Sequence, residues 1–185
     1  MPSTATTIQS ARLDMIPMTP EFLQASLDGD LAAAAAVIGL TIPTDWLEEP
    51  DLMRIRLDQL RADPSLQPWL LRAIGLRSER LMIGHIGFHT RPGAAYLADL
   101  APGGVEFGYT VFARFRRQGY AREAAHALMG WAAREQGVPR FVVSISPQNL
   151  PSLGLAQQLG FQRIGSHVDE EDGPEDIFEL RVAAG

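Results

Sequence analysis

The segment Arg116-Arg117-Gln118-Gly119-Tyr120-Ala121 has the composition of an anion site. Gly119 can take backbone angles closed to other residues and lets the chain approach a ligand closely. A helical pattern begins at Tyr120, so the amides of its first turn have no partner inside the helix. The helix dipole favours an anion in front of them, as do Arg114, Arg116, Arg117 and Arg122, which fall within nine residues. A pyrophosphate fits such a place. Taken alone, the same segment also reads as a solvated connection rich in arginine and glycine.

Other phosphate chemistry lacks its fingerprint. No G-x-x-x-x-G-K-[ST] occurs, and no strand pattern is followed by G-x-G-x-x-G. The chain has no cysteine, which removes disulfides, thiolate metal sites and a cysteine nucleophile. A net charge of −6 argues against general affinity for nucleic acid or anionic lipid. No apolar run approaches the roughly 18 residues of a membrane span, and the first residues lack the pattern of a secretory signal. A cytoplasmic protein without membrane or nucleic-acid partners is the expectation. At 185 residues, one domain over residues 1–185 is expected.

The elements that must position the loop follow from periodicity. Strands are predicted at Ile8–Ile16, Trp69–Leu76, Leu81–His89, Val105–Phe112, Phe141–Ser146, Phe161–Val168 and Asp176–Val182. Helices are predicted at Pro20–Leu27, Leu31–Ile38, Asp51–Arg61 and Tyr120–Gln136, with another opened by Asn149 and Pro151 and closed by Gly160. About seven strands with helices inserted early and late indicate an α+β fold on a mixed sheet. The strand from Val105, the helix from Tyr120 and the strand from Phe141 form a βαβ unit whose strands should pair in parallel.

Three motifs in this order resemble the GNAT (GCN5-related) N-acetyltransferase family, in particular the branch containing ribosomal-protein N-terminal acetyltransferases. Arg116, Gly119 and Ala121 match the family's [Q/R]-x-x-G-x-[G/A] coenzyme A loop. Asn149-Leu150-Pro151-Ser152, followed by a helix ending in Leu159-Gly160-Phe161, resembles its N-x-x-S helix. Val105-Glu106-Phe107-Gly108-Tyr109 resembles the start of its fourth strand. The resemblance covers residues 105–161 well and extends loosely to Arg12–Thr19, while the region from Asp28 to Leu66 has no counterpart in it. It implies a GNAT-like, mostly antiparallel central sheet with flanking helices and acetyl-CoA as acetyl donor, without a metal. A homodimer is compatible with it.

By resemblance, Thr110, Val111 and Phe112 line the pantetheine arm, where backbone groups bond the cofactor like an added strand. Arg116, Arg117, Gln118, Gly119, Tyr120 and Ala121 meet the pyrophosphate. Asn149 bonds the pantetheine or adenosine side, although a plain helix cap explains it equally. Glu106 stands where several members of the family place their general base. An attacking amine must be neutral, so a base is needed; burial between Val105 and Phe107 would raise the carboxyl's pKa and suit it to that work. A water-exposed strand glutamate is the alternative. A backbone N–H near Thr110 or Val111 is expected to meet the developing oxyanion. Ser152 matches the serine that protonates the leaving thiolate in some members, or is an ordinary first-turn serine.

The remaining polar groups are ambiguous. His85 and His89 share a strand face but make a poor metal pair without a third ligand, and are expected on the sheet surface or the acceptor cleft. His126 and His167 read as surface residues. The run from Asp169 to Asp176 carries six carboxylates, either attracting a cationic amine or forming a solvated turn. The function expected is therefore acetyl transfer from acetyl-CoA to an amine of a small molecule or a protein N-terminus by direct attack. A non-catalytic acetyl-CoA-binding or sensing protein of the same fold is the alternative. An RNA- or nucleotide-binding module built on the arginine cluster is opposed by the acidic charge and the missing motifs.

Overall fold

A computed structural model describes residues 5–169 and 173–182, and the chain divides into two compact units. The first takes in the chain up to Phe88 together with Tyr109–Leu128; the second takes in His89–Gly108 and the chain from Met129. In chain order the elements are β1 (Ile8–Gln9), β2 (Leu13–Pro17), α1 (Pro20–Leu27), α2 (Leu31–Ile38), a short 3-10 helix (Thr44–Glu48), α3 (Pro50–Ala62), β3 (Arg72–Leu76) and β4 (Leu81–Phe88). They continue with β5 (Val105–Val111), α4 (Tyr120–Gln136), β6 (Arg140–Ile145), α5 (Leu150–Leu159), β7 (Gln162–Asp169) and β8 (Gly173–Arg181).

The hydrogen-bonded strand pairs are mostly antiparallel, and α5 runs from Leu150 to Leu159.

In the first unit β1, β2, β3 and β4 pair antiparallel in sequence order. The C-terminal half of β5 lies beside β4, where the Phe112 amide donates to the Ile83 carbonyl at 2.9 Å. Gly84 makes that approach possible: a Cβ there would sit 2.1 Å from the Thr110 carbonyl oxygen. In the second unit the N-terminal half of β5 pairs in parallel with β6, as the βαβ pattern requires, and β8 lies between β6 and β7. Among the described residues there are eight strands rather than about seven, because the predicted strand Ile8–Ile16 is a hairpin. The Ser10 amide donates to the Leu13 carbonyl at 3.0 Å, the chain reverses, and Ile8 comes opposite Met15. β3 begins at Arg72 rather than Trp69, and β8 begins at Gly173 rather than Asp176.

Local chemistry explains why the helices stop and start where they do. Thr19 caps α1 by accepting from the Phe22 amide, Asp30 caps α2 through the Ala33 amide, and Gly39 ends α2 with φ of 71°. The core of the first unit includes Leu13, Met15, Phe22, Leu23, Met53 and Ile74, all within 1% exposure. Each such side chain stabilises by about 1.5–3 kcal/mol relative to exposure. Trp46 is fully buried among them, and its indole N–H donates to Ser26 Oγ at 2.9 Å, so the 3-10 helix is anchored to α1. In the second unit Leu97, Ala101, Val142 and Ile177 form a buried cluster, and Phe107 meets Phe161 edge to face at 6.2 Å.

A clamp ties the β1–β2 turn to the first turn of α4. Ser10 Oγ, the Arg12 amide and Arg12 Nε all donate to the Glu123 carboxylate, each at 2.7 Å. Burial opposes ionisation of Glu123, yet these donors outweigh it and hold the carboxyl below the usual glutamate value of 4.5. A carboxyl depressed in the folded state stabilises above its unfolded pKa, and that contribution is lost as pH falls through the folded value. Glu123→Gln should therefore cost about 1–3 kcal/mol at pH 7, the scale of charge-assisted bonds. In urea denaturation the gap between wild type and variant should close in acid; a gap that stays constant with pH would mean the charge is not what the clamp uses.

Candidate active site

Glu106 lies in the second unit and is 8% exposed. The parallel register sets Val105 against Phe141 and Glu106 against Val142, and the β5–β6 ladder ends there. Ser144, two residues past Val142 and hence on the same strand face, donates from Oγ to Glu106 Oε1 at 2.6 Å. On the other side the His89 amide donates to the Glu106 carbonyl at 2.9 Å, which brings His89 Nδ1 to 3.6 Å from Glu106 Oε2. Burial alone would raise this carboxyl. The interactions with His89, Ser144 and Tyr96 outweigh that effect, and the pKa lies below the ordinary glutamate value. The expectation of a raised pKa is thus corrected: the glutamate is buried, as a base site requires, but donors placed around it keep it ionised.

The loop expected to meet pyrophosphate lies in the first unit. Arg117 has φ of 60° and Gly119 of 81°. A backbone that changes hand in this way turns neighbouring amides toward one side. Among the described residues, the amides of Arg117, Gln118 and Gly119 meet no acceptor within hydrogen-bond geometry. Tyr120 is buried and begins α4, with Ala121 half-buried behind it. Arg12 supports the loop from below: Nη1 donates to the Gln118 carbonyl at 3.1 Å, and its guanidinium carbon stands 4.4 Å from the Tyr120 ring centroid. Arg116 behaves differently from its neighbours. Its Nε donates to the Val111 carbonyl at 2.8 Å, so the side chain folds back on the end of β5.

Asn149 and Ser152 lie in the second unit at the start of α5. Asn149 Oδ1 accepts from the Ser152 amide at 3.2 Å, so Asn149 caps the helix, and Gly160 ends it with φ of 87°. Asn149 is exposed and Ser152 half-buried.

A cavity of about 440 Å³ in the first unit is lined by Asp45, Glu48, Glu49, Asp51, Thr110 and Arg116, with Leu52 and Phe112 among its apolar walls. His85, expected on the sheet surface or in the acceptor cleft, is buried beside the cavity residue Glu49. It is 4% exposed, packs edge-on against Trp46 at 5.4 Å, and places Nε2 3.1 Å from Glu49 Oε1. Hydrogen bonding to His85 holds Glu49 below the usual glutamate value despite burial, and the Thr110 hydroxyl adds to this. A second cavity, of about 480 Å³, has Arg80 as its charged lining residue, and Arg80 Nη2 is bonded to the Gly39 carbonyl.

His126 is exposed on α4, and His167 Nε2 lies 3.5 Å from Glu175 Oε2. Of the acidic run, Glu170, Glu171 and Asp172 lie outside the described residues, while Asp176 pairs with Arg163 at 2.7 Å. Among the described residues no group of three or more His, Asp or Glu side chains is arranged to hold a metal. No described helix is long and apolar enough to cross a membrane.

The sequence reading missed Ser144, the Arg12–Glu123 clamp and Glu49. Ser144 was recoverable from the parallel register had the first residue pair been known, since alternation then puts it beside Glu106. Glu49 and His85 are 36 residues apart, and no local period connects them.

The model of the acetyltransferase (GNAT) domain family matches residues 12–162. An uncharacterised N-acetyltransferase of Bacillus subtilis, YnaD, is 30% identical over 90 residues, which are 49% of this chain and 48% of that protein; the match thus spans about half the length of the relative. Among solved structures, the Salmonella typhimurium acetyltransferase that modifies the N-terminal serine of a 50S ribosomal subunit protein is 16% identical, with a TM-score of 0.65 over 96% of this chain and 100% of that one. A ribosomal alpha-N-protein acetyltransferase in complex with coenzyme A is 16% identical, with a TM-score of 0.67 over 97% and 100%. These two likenesses show a shared α+β fold with a mostly antiparallel sheet. With the family model covering most of its length, this chain belongs to the GNAT acetyltransferase family.

Proposed function

We propose that this chain is an acetyl-CoA-dependent N-acetyltransferase acting on an amine by direct attack, as one catalytic domain. The observation that carries this reading is Glu106: a buried carboxylate kept ionised by Ser144 and His89, on the strand that leads to the amide loop. The single-domain reading is supported by the chain itself, which passes from one unit to the other in the middle of β5 and again in the middle of α4.

The residues present fit the donor. Three successive amides without acceptors, a left-handed glycine and the start of a 17-residue helix suit a pyrophosphate at Arg117, Gln118, Gly119, Tyr120 and Ala121. Thr110, Val111 and Phe112 would run beside the pantetheine arm, although Arg116 already occupies the Val111 carbonyl and Phe112 donates to Ile83, which leaves fewer backbone groups there. Arg116 thus shapes the end of the strand, and Asn149 serves the site by fixing the first turn of α5. Acetyl-CoA, when bound, supplies a thioester carbonyl to the amine.

Glu106 has a definite part in this chemistry. An amine becomes cationic as it attacks, and a proton on that nitrogen is far more acidic than on the resting ammonium. A carboxylate below the usual glutamate value can accept it at that stage, directly or through water. Ser152 would give a proton to the departing sulfur. The acceptor in this reading is an amine of a small molecule or a protein N-terminus. The ribosomal-protein enzyme of like fold acts on an N-terminal serine, which shows the fold can serve the second of these.

The basic test is release of free thiol from acetyl-CoA on addition of amines. All sixteen basic residues are arginine, so lysine self-acetylation cannot supply a background. Glu106→Gln should lower kcat by about 10²-fold or more, the usual scale of general-base catalysis, while acetyl-CoA affinity stays the same. Because Glu106 is ionised well below neutrality, the rise of kcat/KM with pH should follow the pKa of the amine used and persist in the variant. A limb that stays fixed across amines of different pKa would point to an enzyme group instead.

Gly119→Val forces a β-branched residue into positive φ and should abolish most acetyl-CoA binding in calorimetry while the protein remains folded. Unchanged affinity in folded protein would remove the loop from the site. Ser152→Ala should lower kcat and leave coenzyme A affinity nearly unaltered; the reverse pattern would make the hydroxyl a binding or capping group.

A further inference from the structure

The turn between β1 and β2 lies more than 100 residues before the amide loop, yet one of its side chains reaches that loop: Arg12 Nη1 bonds the Gln118 carbonyl, 106 residues away. The backbone of Arg12 is fixed from both sides. Its amide donates to the Glu123 carboxylate at 2.7 Å, and its carbonyl accepts from the Arg77 amide at 3.1 Å. The Arg77 side chain secures the same turn, donating to the carbonyls of Ser10, Ala11 and Leu13 and to the Asp14 carboxylate. The Arg12 guanidinium therefore leaves an anchored backbone, and Glu123 Oε2 on its Nε and the Tyr120 ring beneath its central carbon fix its direction.

The acceptor that Arg12 takes is the informative part. The Gln118 carbonyl belongs to the same peptide group as the Gly119 N–H, and the chain has no cis peptide bond among the described residues. In a planar trans peptide the C=O and the N–H point in opposite directions, so a donor that holds one on its own side aims the other away from itself. A carbonyl that accepts from a cation also polarises its peptide group, which makes the N–H a better donor. Without that bond the peptide borders a glycine at φ of 81°, the residue type with the widest choice of backbone angles, and its orientation would have to be bought from the free energy of binding.

We propose that Arg12 is a positioning residue for the acetyl donor: by holding the Gln118 carbonyl it aims the Gly119 amide at the pyrophosphate and raises affinity for acetyl-CoA without taking part in acetyl transfer. This rests on the reading of residues 117–121 as the coenzyme A loop. Glu123 acts one step further back, by fixing Arg12.

Two donors separate this role from a general contribution to the fold. Acetyl-CoA carries the pyrophosphate, whereas S-acetylpantetheine has the same thioester and no phosphate. Arg12→Gln should raise the KM for acetyl-CoA by about tenfold while kcat and the KM for the amine change little, and kinetics with S-acetylpantetheine should stay as in the wild type. Arg12→Lys keeps the charge but cannot hold Glu123 and Gln118 in one planar fork, so it should show a smaller loss of the same kind; it also serves as the test should Arg12→Gln not fold. In calorimetry with coenzyme A, Glu123→Gln should weaken binding a few-fold, and should add nothing once Arg12 is glutamine, as expected for two residues acting through one contact. By reciprocity, coenzyme A should slow hydrogen exchange at the Arg12 amide. Equal coenzyme A affinity in wild type and folded Arg12→Gln, or equal losses with both donors, would overturn the proposal. Affinity for coenzyme A that falls in Arg12→Gln supports it even if no amine is acetylated. A wild-type chain that does not bind coenzyme A removes the loop assignment and this inference together, whereas acetyl transfer with unchanged donor affinity in Arg12→Gln leaves the enzyme reading intact and removes the role of Arg12 alone.

Discussion

A carboxylate that is 92% removed from solvent must be neutralised or supplied with donors, and the second unit is arranged around supplying them to Glu106. The parallel pairing of β5 with β6 fixes which face Glu106 shares with Ser144, and the backbone bond from His89 to Glu106 fixes where the imidazole stands. Register brings these partners within reach, and the side-chain rotamers complete the contacts. Register is set by burial of Val105, Phe107, Phe141 and Val142 on the same two strands. Packing of apolar side chains therefore helps to set the charge state of Glu106.

The first unit meets a comparable constraint at the amide loop. Among the described residues the amides of Arg117, Gln118 and Gly119 have no acceptor, and a residue such as Arg117 at positive φ costs about 1 kcal/mol more. Support has to come from elsewhere. Arg12 binds the Gln118 carbonyl, covers the Tyr120 ring and joins Glu123 one turn into α4. The β1–β2 turn thus acts as a brace for the loop, which gives the short N-terminal hairpin a mechanical purpose that its two-residue first strand would not otherwise have.

Legibility in the sequence divides along the same physical lines. Helices α1, α2 and α4 have the predicted boundaries because caps, proline and glycine act locally and are visible in the residues that perform them. The loop at Gly119 and the parallel βαβ unit were equally plain, since a helix start, a glycine and two strand patterns lie within 45 residues, Val105 to Ser146 lacking only a register. What remained hidden depends on distant parts of the chain. The turn in Ile8–Ile16 is clamped by Glu123, more than 110 residues away, and Glu49 is held by His85, which packs on Trp46. The pKa of Glu106 could not be given the right sign for the same reason: burial was foreseeable from Val105 and Phe107, but the donors come from β6 and from the residue after β4.

The use of arginine throughout the chain connects these observations. Every basic side chain is a guanidinium, and many are spent on backbone carbonyls: Arg12 on Gln118, Arg72 on Thr6 and Pro68, Arg77 on Ser10, Ala11 and Leu13, Arg80 on Gly39, Arg116 on Val111, Arg140 on Leu100 and Pro102. A planar fork can hold two or three acceptors at once in fixed directions, which an ammonium group on a flexible stem cannot do. Arginine is therefore serving as a tie between loops, and the same fork can hold a carboxylate as well, as Arg12 does with Glu123 and Arg77 with Asp14. Arg116 is tied in this way to the Val111 carbonyl while it lines the cavity with Asp45, Glu48, Glu49 and Asp51, so carboxylates outnumber cations around that space.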